Sequence, residues 1–582
     1  NVLNVLYDGV LKRMELLKGE HVDLRVHRKH RQAFERTVLP FLQESYEVLA
    51  KKYKMKPKQP LRVEIFPTSE QFSVRTVGLP RLGAHAVCFG HLITSRSPTE
   101  KPFNWKMVLH HEMAHVFHIQ ATDGRVPRWL TEGLAMMESV WLDERYHMRM
   151  ERRAYDRLKA GKLSKVRTFN LAFSQAKNMQ GIVDAYYQAM KLTRYMSDTY
   201  GFAKVAKLVA AHKSGKPTPT LVKKVLGVTA EQLDADFAAW LGKHLARFDK
   251  DFHPTRDTIQ AVLTRKGAAK SKDPTLVALH QALVALKRGK TKTAQRVLNK
   301  AMEAANKSIG AAASGPHLCT VGYLLSDLAL ARRDWKVLEA NTRGLVSLPG
   351  CDGVRQRLLL ARALRASGKD RRTEVLSHLR KATEIDPKNV QVKQLWLASL
   401  PKDAPEAERR RLMREIIVLA PNDSTLAARL AALAWKRLGP DLGLAAGVQR
   451  IRQTRAGGML TAMTTGGTAR AGKTSGGAKT NKKPAVKLSD AARRMLVRDV
   501  KIGARQLEET TPHTYAQAIW EARSAVATGA LKMSMPAYRL AAKRAHRKQD
   551  RRAAWCELAE IARKTKAKEA QGEADRRCVA ER

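Results

Sequence analysis

The chain has 582 residues and a net charge of +53, with 44% hydrophobic and 6% aromatic residues. It is too long for one hydrophobic core, so we expect several folded units, and the few aromatic residues favour long helices over a β-sandwich. The longest apolar runs fall far short of the roughly 18 residues that a transmembrane helix needs, so we expect no membrane span. The first residue is Asn1, which leaves the presence of a targeting segment open.

The excess positive charge is spread along the chain and is greater in its C-terminal half. Such a charge favours an acidic partner: nucleic acid, anionic lipid, acidic polysaccharide or an acidic protein. The charges alternate with apolar residues on predicted helices and form no single basic arm, so a basic proteome or habitat explains them equally well. Because no nucleic-acid-reading module is recognisable, nucleic-acid binding ranks last among the functions that we consider.

Cysteine usage argues against both a disulfide framework and a cysteine metal site, because the five cysteines are scattered and form no CxxC pair. Cys319 and Cys351 could meet between neighbouring helices, but the sequence favours two buried free thiols at these positions.

The first 250 residues begin with alternating strand and helix patterns and then become helical. Residues 1–20 predict the tail of a preceding helical segment, and residues 21–250 predict an α+β domain, because strands are followed by a run of helices. The predicted strands are 21–27, 61–67 and 83–95, the last broken near Gly90. The predicted helices are 30–55, 104–120, one starting near Arg128, 184–201 and 225–245, the last with Thr229 as N-cap.

The second half of the chain is predicted to be all helical. Residues 251–272 have the composition of a polar connector, and residues 273–455 show helix after helix. The segments 282–301 and 361–382 share a scheme of small and apolar residues, a Gly-Lys turn and a closing Lys-Ala, and Pro387 and Pro421 lie 34 residues apart. This pattern resembles tetratricopeptide repeats and predicts an all-α solenoid, with an unrelated helical bundle as the alternative.

Residues 456–487 are rich in Gly, Thr, Ala and Lys and predict a flexible basic linker, which is followed by a basic helical region at 488–582. Within the linker, Gly467 to Thr474 match the phosphate-loop letters G-x-x-x-x-G-K-[ST]. That motif requires a preceding buried strand and a following helix, and neither pattern is present. We therefore do not expect a nucleotide site there.

The sequence His111-Glu112-Met113-Ala114-His115 is an H-E-x-x-H motif on a predicted helix. Two histidines four residues apart project from the same helical face, so both imidazoles can bind one ion, and Zn²⁺ suits them. Glu112 can reach a metal-bound water without binding the metal, as a general base requires. The alternative is an ordinary helix with hydrogen-bonded histidines.

A third ligand favours the metal site over that alternative. His118 lies on the same helix and would crowd a tetrahedral site, and it also replaces the glycine of the longer H-E-x-x-H-x-x-G-x-x-H motif. Glu132 follows a loop break in "VPRWLTEGLA", where a two-helix hairpin can bring it opposite His111 and His115. Two histidines and a glutamate leave one position open for water, as in catalytic zinc sites.

These segments together resemble the gluzincin zinc metallopeptidases, and within them the bacterial peptidase MA-like branch, which pairs H-E-x-x-H with W-L-x-E-G-x-A. The resemblance covers about residues 20–250 and implies a thermolysin-like α+β domain with His111, His115 and Glu132 as zinc ligands and Glu112 as base. Tetratricopeptide repeats often follow in that branch, and its members favour a periplasmic or cell-envelope location. In "AYYQAM" the resemblance implies an oxyanion-stabilising tyrosine, Tyr186, with Tyr187 as the alternate.

The sequence departs from the aminopeptidases of this clan. Their Gly-Ala-Met-Glu-Asn strand holds the free amine of the substrate through its glutamate, whereas Ala86 stands at that position here and no acid occurs from Arg81 to Pro98. The leading hypothesis is therefore a zinc metallopeptidase that is not an aminopeptidase, with helical repeats that recruit substrate or partners. The alternative is a non-catalytic tetratricopeptide-type scaffold with a structural zinc site.

Overall fold

The protein is mostly α-helical, with an α+β N-terminal domain followed by an all-helical region, as the sequence predicts. The computed structural model describes residues 9–58, 60–101, 103–264, 268–307, 316–368, 370–420, 423–442, 488–510 and 514–580. The predicted linker at 456–487, with its phosphate-loop letters, lies outside the described residues. Among the helices of the described ranges, none is both long and apolar enough to cross a membrane.

A five-stranded mixed sheet forms the start of the N-terminal domain. Its strands are β1 (Met14–Leu17), β2 (Val22–His27), β3 (Leu61–Phe66), β4 (Ala86–Cys88) and β5 (Leu92–Arg96). They lie in the order β1-β2-β3-β5-β4, so β1 and β4 are the edge strands. The two edge pairs are antiparallel, and β2–β3 and β3–β5 are parallel. Since parallel neighbours need a crossover, the long helix after β2 returns the chain to the start of β3.

Two predictions for this region are wrong in detail. Residues 14–17 form strand β1 rather than helix, because pairing with β2 places Met14 opposite His27 and buries the apolar ends of the strand. The predicted strand 83–95 is a hairpin of β4 and β5. Its break falls where predicted, at Gly90, which adopts φ +86° and so favours glycine.

Ten helices complete the described part of the N-terminal domain, and the segment from Arg128 onward shares one apolar core with the helices that follow it. Within that core the Trp129 and Phe169 rings stack in parallel planes with centroids 5.6 Å apart. The predicted N-cap at Thr229 is present, since its hydroxyl accepts from the backbone N–H of Gln232. The helices are α1 (Arg31–Tyr53), α2 (Ser69–Val77), α3 (Trp105–Ala121), α4 (Arg128–Leu142), α5 (Glu151–Lys159), α6 (Leu171–Ser174), α7 (Met179–Tyr200), α8 (Phe202–Ala211), α9 (Thr218–Leu226) and α10 (Ala230–Leu245).

The helical region begins earlier than expected. The predicted polar connector 251–272 contains a helix, α11 (Arg256–Thr264), because Ile259, Val262 and Leu263 are spaced on one face and pack against the next helices. The helices that follow are α12 (Pro274–Lys287), α13 (Thr291–Lys307), α14 (Pro316–Ala331), α15 (Trp335–Ser347), α16 (Val354–Ala366), α17 (Arg372–Ile385), α18 (Val390–Ser399), α19 (Glu406–Leu419) and α20 (Ser424–Asp441). The predicted Gly-Lys turns coincide with helix boundaries, and Gly289 and Gly368 adopt φ +72° there.

The last helices are α21 (Asp490–Thr510), α22 (Tyr515–Ala527), α23 (Leu531–Arg544), α24 (Lys548–Lys564) and α25 (Lys568–Ala580). They share an apolar core with α20. A buried ion pair joins Arg523 to Glu557, which also accepts from the hydroxyl of Tyr538. Glu557 thus compensates the charge of Arg523, which would be costly to bury in a helical core without a partner.

The prediction of buried free thiols at Cys319 and Cys351 is wrong, and so is the argument against disulfides. Disulfides join Cys319 to Cys351 and Cys556 to Cys578, and Cys88 is free. Cys556 and Cys578 lie on neighbouring helices, and Cys319 lies on a helix next to the one that Cys351 follows. Helix packing therefore brings together cysteines that are far apart in the sequence. Sequence spacing could not show this, because the relative rotation of the packed helices decides which side chains meet.

The chain divides into two compact units. One comprises residues 1–97 and 106–420, and the other comprises 98–105 and 421–582. The candidate site lies wholly in the first unit. The boundaries predicted from the sequence, at 20, 250, 272, 455 and 487, stay predictions.

Candidate active site

His111 and His115 lie one turn apart on α3, and their side chains converge. Their Nε2 atoms are 3.1 Å apart, and the ring planes meet at 86°. Both rings are largely buried, with side-chain exposures of 15% and 11%. Because residues i and i+4 share a helical face, local structure alone brings the pair together.

The chain reverses direction after α3 and brings Glu132 to the same point. Gly124, at φ +77°, makes the turn, and α4 begins directly after Pro127. Glu132 Oε2 then lies 3.5 Å from His111 Nε2 and 3.4 Å from His115 Nε2. The three side chains that the sequence predicted as ligands therefore meet.

The three ligand atoms form a nearly equilateral triangle with sides of 3.1, 3.4 and 3.5 Å. A tetrahedral ion about 2.0–2.1 Å from each ligand needs ligand atoms about 3.3–3.4 Å apart. The triangle thus fits an ion of the size of Zn²⁺, and these side chains fill only three of its four positions. A buried carboxylate facing two imidazole nitrogens is the donor set that such an ion requires.

Glu132 is held as a carboxylate from both sides. Burial alone would raise its pKa, but the adjoining imidazoles of His111 and His115 outweigh burial and hold the pKa well below its usual range. Its other oxygen, Oε1, accepts from the Tyr186 hydroxyl at 3.0 Å and lies 3.4 Å from Arg128 Nε. The carboxylate is therefore oriented before any ion binds.

Glu112 lies between the metal-facing side of α3 and the edge strand β4. Burial raises the pKa of its carboxyl to about 7, with a smaller contribution from the charge of Glu132, while His111 and a backbone hydrogen bond from Cys88 oppose the rise. A carboxyl with this pKa can both accept and release a proton near neutrality, which suits an acid–base role.

The two candidate tyrosines have different surroundings. Tyr186 reaches Glu132 with its hydroxyl and packs edge-on against Phe173, with ring centroids 5.2 Å apart. Tyr187 points away into the helical core, is 2% exposed, and lines a small cavity with Leu163 and Lys191. The alternate choice is therefore not at the site.

Thr131 and Tyr53 were missed by the sequence analysis, which considered His118 only as a metal ligand. Thr131, next to Glu132, bonds His115 Nδ1 at 2.7 Å, and His118 bonds Thr131 and Tyr53 through its two ring nitrogens. Both nitrogens of His118 are thus engaged away from the ligand triangle, which agrees with its exclusion as a ligand. Thr131 and Tyr53 lie on α4 and α1, so no spacing within α3 could have revealed them.

Comparison with known families points to the same region of the chain. Residues 42–243 match the family model described as the Peptidase MA superfamily. This match supports a metallopeptidase-like domain. No curated protein matches the chain.

The peptidase MA-like region contains strands β3 to β5 and helices α2 to α9 in full, and all the site residues named above lie in it. The superfamily is generally metal-dependent, in agreement with the possible metal-binding triad on α3 and α4. The region covers about a third of the chain, so the match carries no information about the helical repeats.

Proposed function

We propose that this protein is a gluzincin-type zinc peptidase that hydrolyses internal peptide bonds. The observation that carries the proposal is the triangle of two imidazole nitrogens and one carboxylate oxygen with sides of 3.1–3.5 Å. A buried glutamate with a pKa of about 7 stands beside it. This combination is what metal-assisted hydrolysis needs, namely an ion site with an open position and an adjacent base.

Zn²⁺ held by His111, His115 and Glu132 would supply the Lewis acidity that activates water and polarises the scissile carbonyl. Glu112 accepts the proton of the attacking water and passes it to the leaving nitrogen. Burial raises its pKa to about 7, which suits a group that must both accept and release a proton near neutrality.

Tyr186 is assigned to stabilisation of the developing oxyanion. Its hydroxyl has a single proton, which is now donated to Glu132 Oε1. As negative charge grows on the substrate oxygen, donation moves to that oxygen, while Arg128 stays close to the carboxylate. One well-placed donor of this kind stabilises a transition state by about 3–4 kcal/mol.

The edge strand β4 is the proposed substrate platform. It lies at the end of the sheet, and its Cys88 backbone bonds Glu112, so a peptide added along β4 would pass the catalytic carboxylate. Ala86 stands on β4 where the amine-binding glutamate of the aminopeptidases would lie, and no acid occurs from Arg81 to Pro98. A free N-terminus therefore has no carboxylate to pair with on this strand, which favours internal bonds.

The helical region is assigned to recruitment. Helices α12 to α19 follow one another along the chain, and the sequence of this region resembles tetratricopeptide repeats, which bind peptides and proteins. The net charge of +53 favours an acidic partner or substrate.

The decisive test compares the full-length chain with its Glu112→Gln variant, and uses Glu70→Gln on the exposed face of α2 as a matched control. We expect the Glu112 variant to retain zinc at one ion per chain and to lose cleavage of a peptide library, whereas the control retains both. Native cleavage by the Glu112 variant would refute its assigned role. Zinc binding without cleavage by the wild type would instead support the non-catalytic scaffold.

A further inference from the structure

One hydroxyl lies between two buried imidazoles beside the ligand triangle. Thr131 Oγ1 is 2.7 Å from His115 Nδ1 and 3.0 Å from His118 Nδ1. A hydroxyl has one proton, so it can donate to one of these rings and must accept from the other. Which ring receives the proton decides whether His115 Nε2 faces Glu132 with a lone pair or with a proton.

The chain of hydrogen bonds continues from His118 to the far side of α1. His118 Nε2 lies 2.8 Å from the Tyr53 hydroxyl, which donates to Glu138 Oε1 at 2.9 Å. Glu138 Oε2 accepts from Lys52 Nζ at 2.7 Å. The chain joins α1, α3 and α4, and both His118 (0% exposed) and Glu138 (1%) are buried.

The Lys52–Glu138 ion pair, at the far end of this series of hydrogen bonds, determines which group donates the proton in each bond. Glu138, paired with Lys52, can only accept, so Tyr53 uses its one proton on Glu138 and must accept from His118 Nε2–H. The neutral His118 ring then has only an acceptor at Nδ1. Burial disfavours the charged ring, so the neutral form is the one that applies.

The remaining links follow from the same proton count. Thr131 must donate to His118 Nδ1 and therefore accepts from His115 Nδ1–H. This leaves a lone pair on His115 Nε2, the atom 3.4 Å from Glu132 Oε2. The opposite order would put a proton on that atom and would leave two acceptors facing each other between Tyr53 and Glu138.

We propose that Thr131, His118, Tyr53 and Glu138 form a proton-ordered relay that holds His115 in its Nδ1-protonated tautomer and so presents Nε2 to the ion. These four are positioning residues, and the inference rests on the proposed metal site. Groups that orient a metal-binding histidine in this way typically change metal affinity by about 10–100-fold when removed.

The first test uses the full-length chain and Zn²⁺ alone, with affinity measured by competition against a chelator. Thr131→Val keeps the shape but removes the hydroxyl, and we expect a 10–100-fold weaker affinity. Thr131→Ser keeps the hydroxyl and should bind zinc within a few-fold of the wild type. Equal affinity of wild type and Thr131→Val, with both folded by circular dichroism, would overturn the relay.

The second test acts at a distance from the ion. Tyr53→Phe removes one link, and Tyr46→Phe on the same helix is the matched control, because both rings pack against Phe117. We expect weaker zinc binding in the Tyr53 variant alone. If zinc affinity falls in Thr131→Val but not in Tyr53→Phe, then Tyr53 and Glu138 are not part of the relay.

A third measurement separates this inference from the proposed reaction. Histidine-selective ¹⁵N labelling reports the tautomer of His115 in metal-free protein, with the signal assigned by a His115→Gln variant. We expect the Nδ1-protonated form in the wild type and a mixture in Thr131→Val. A wild-type His115 protonated at Nε2 would refute the relay even if peptides are cleaved, and a correct tautomer would stand even if they are not.

Discussion

Gly133 packs directly against the backbone of Ala189. A β-carbon built on this glycine would lie 2.6 Å from the Ala189 carbonyl oxygen, closer than real β-carbons approach. Helices α4 and α7 can therefore come this near only because residue 133 has no side chain. Their close approach is what brings Tyr186 on α7 to Glu132 on α4.

We expect Gly133→Ala to force α4 and α7 apart, with a cost of about 1–3 kcal/mol in stability and a loss of zinc affinity. The matched control is Gly242→Ala on α10, whose β-carbon would meet Leu158 at an ordinary 3.5 Å. That control should be neutral or stabilising by up to about 1 kcal/mol. Thermal midpoints and chelator competition measure both effects, and equal behaviour of the two variants would contradict the packing argument.

Removal of Glu132 tests the ligand triangle directly. Without this carboxylate, His111 and His115 are left as the only two ligands of the triangle, and we expect Glu132→Ala to weaken zinc binding by more than about 100-fold. Since an ion that binds only the folded chain stabilises it, zinc should raise the melting temperature of the wild type and leave the variant unchanged. An equal zinc-induced shift in both proteins would rule out Glu132 as a ligand.

The two disulfides make a direct prediction for thiol counting. Denatured but unreduced protein should react with one equivalent of a thiol reagent, at Cys88, and with five after reduction. The Cys319–Cys351 link closes a loop of 32 residues, so a Cys319→Ala, Cys351→Ala double variant should lose about 2–4 kcal/mol. Cys88→Ala serves as the control for loss of a cysteine without loss of a crosslink.

His147 predicts a pH dependence of stability. Burial, aided by the charge of Lys191 3.0 Å from its Nε2, lowers its pKa to about 3, whereas the unfolded side chain titrates near 6.5. Between these values only the unfolded chain binds the proton, so stability is complete above about pH 6.5 and falls as the pH decreases.

We expect the wild type to lose about 2 kcal/mol more than His147→Gln between pH 7 and pH 5. Glutamine keeps an acceptor for Lys191 but does not titrate, which makes it the matched comparison. Urea midpoints at the two pH values measure the difference. Parallel losses in both proteins would show that His147 remains protonatable in the folded state.

Local patterns predicted much of the fold and the three side chains that meet between α3 and α4. A helix of known period fixes that His111 and His115 share a face, and the Gly-Lys turns mark helix ends whatever the helices pack against. Strand β1 was missed because its identity depends on pairing with β2 rather than on its own spacing. The short helix α11 was missed because three apolar residues among polar ones become a helical face only when a neighbour covers them.

The hydrogen bonds from Thr131 to Glu138 lay beyond sequence reasoning for a different reason. Tyr53 meets His118 across 65 residues of sequence, which is a property of tertiary packing alone. Tyr186 was preferred over Tyr187 only through the family resemblance. Tyr186 and Tyr187 differ by about 100° around α7, so the rotation of that helix about its axis decides which one reaches Glu132.

Each compact unit carries its own cystine, and this constrains where the chain matures. Cytosolic glutathione and thioredoxin keep thiols reduced, whereas cystines form and persist in oxidising surroundings such as the periplasm or the extracellular space. We therefore expect both units to finish folding after export. Cys88 stays apart from this chemistry, since burial raises its thiol pKa and leaves little thiolate for exchange, so the strand beside Glu112 is protected from mispairing.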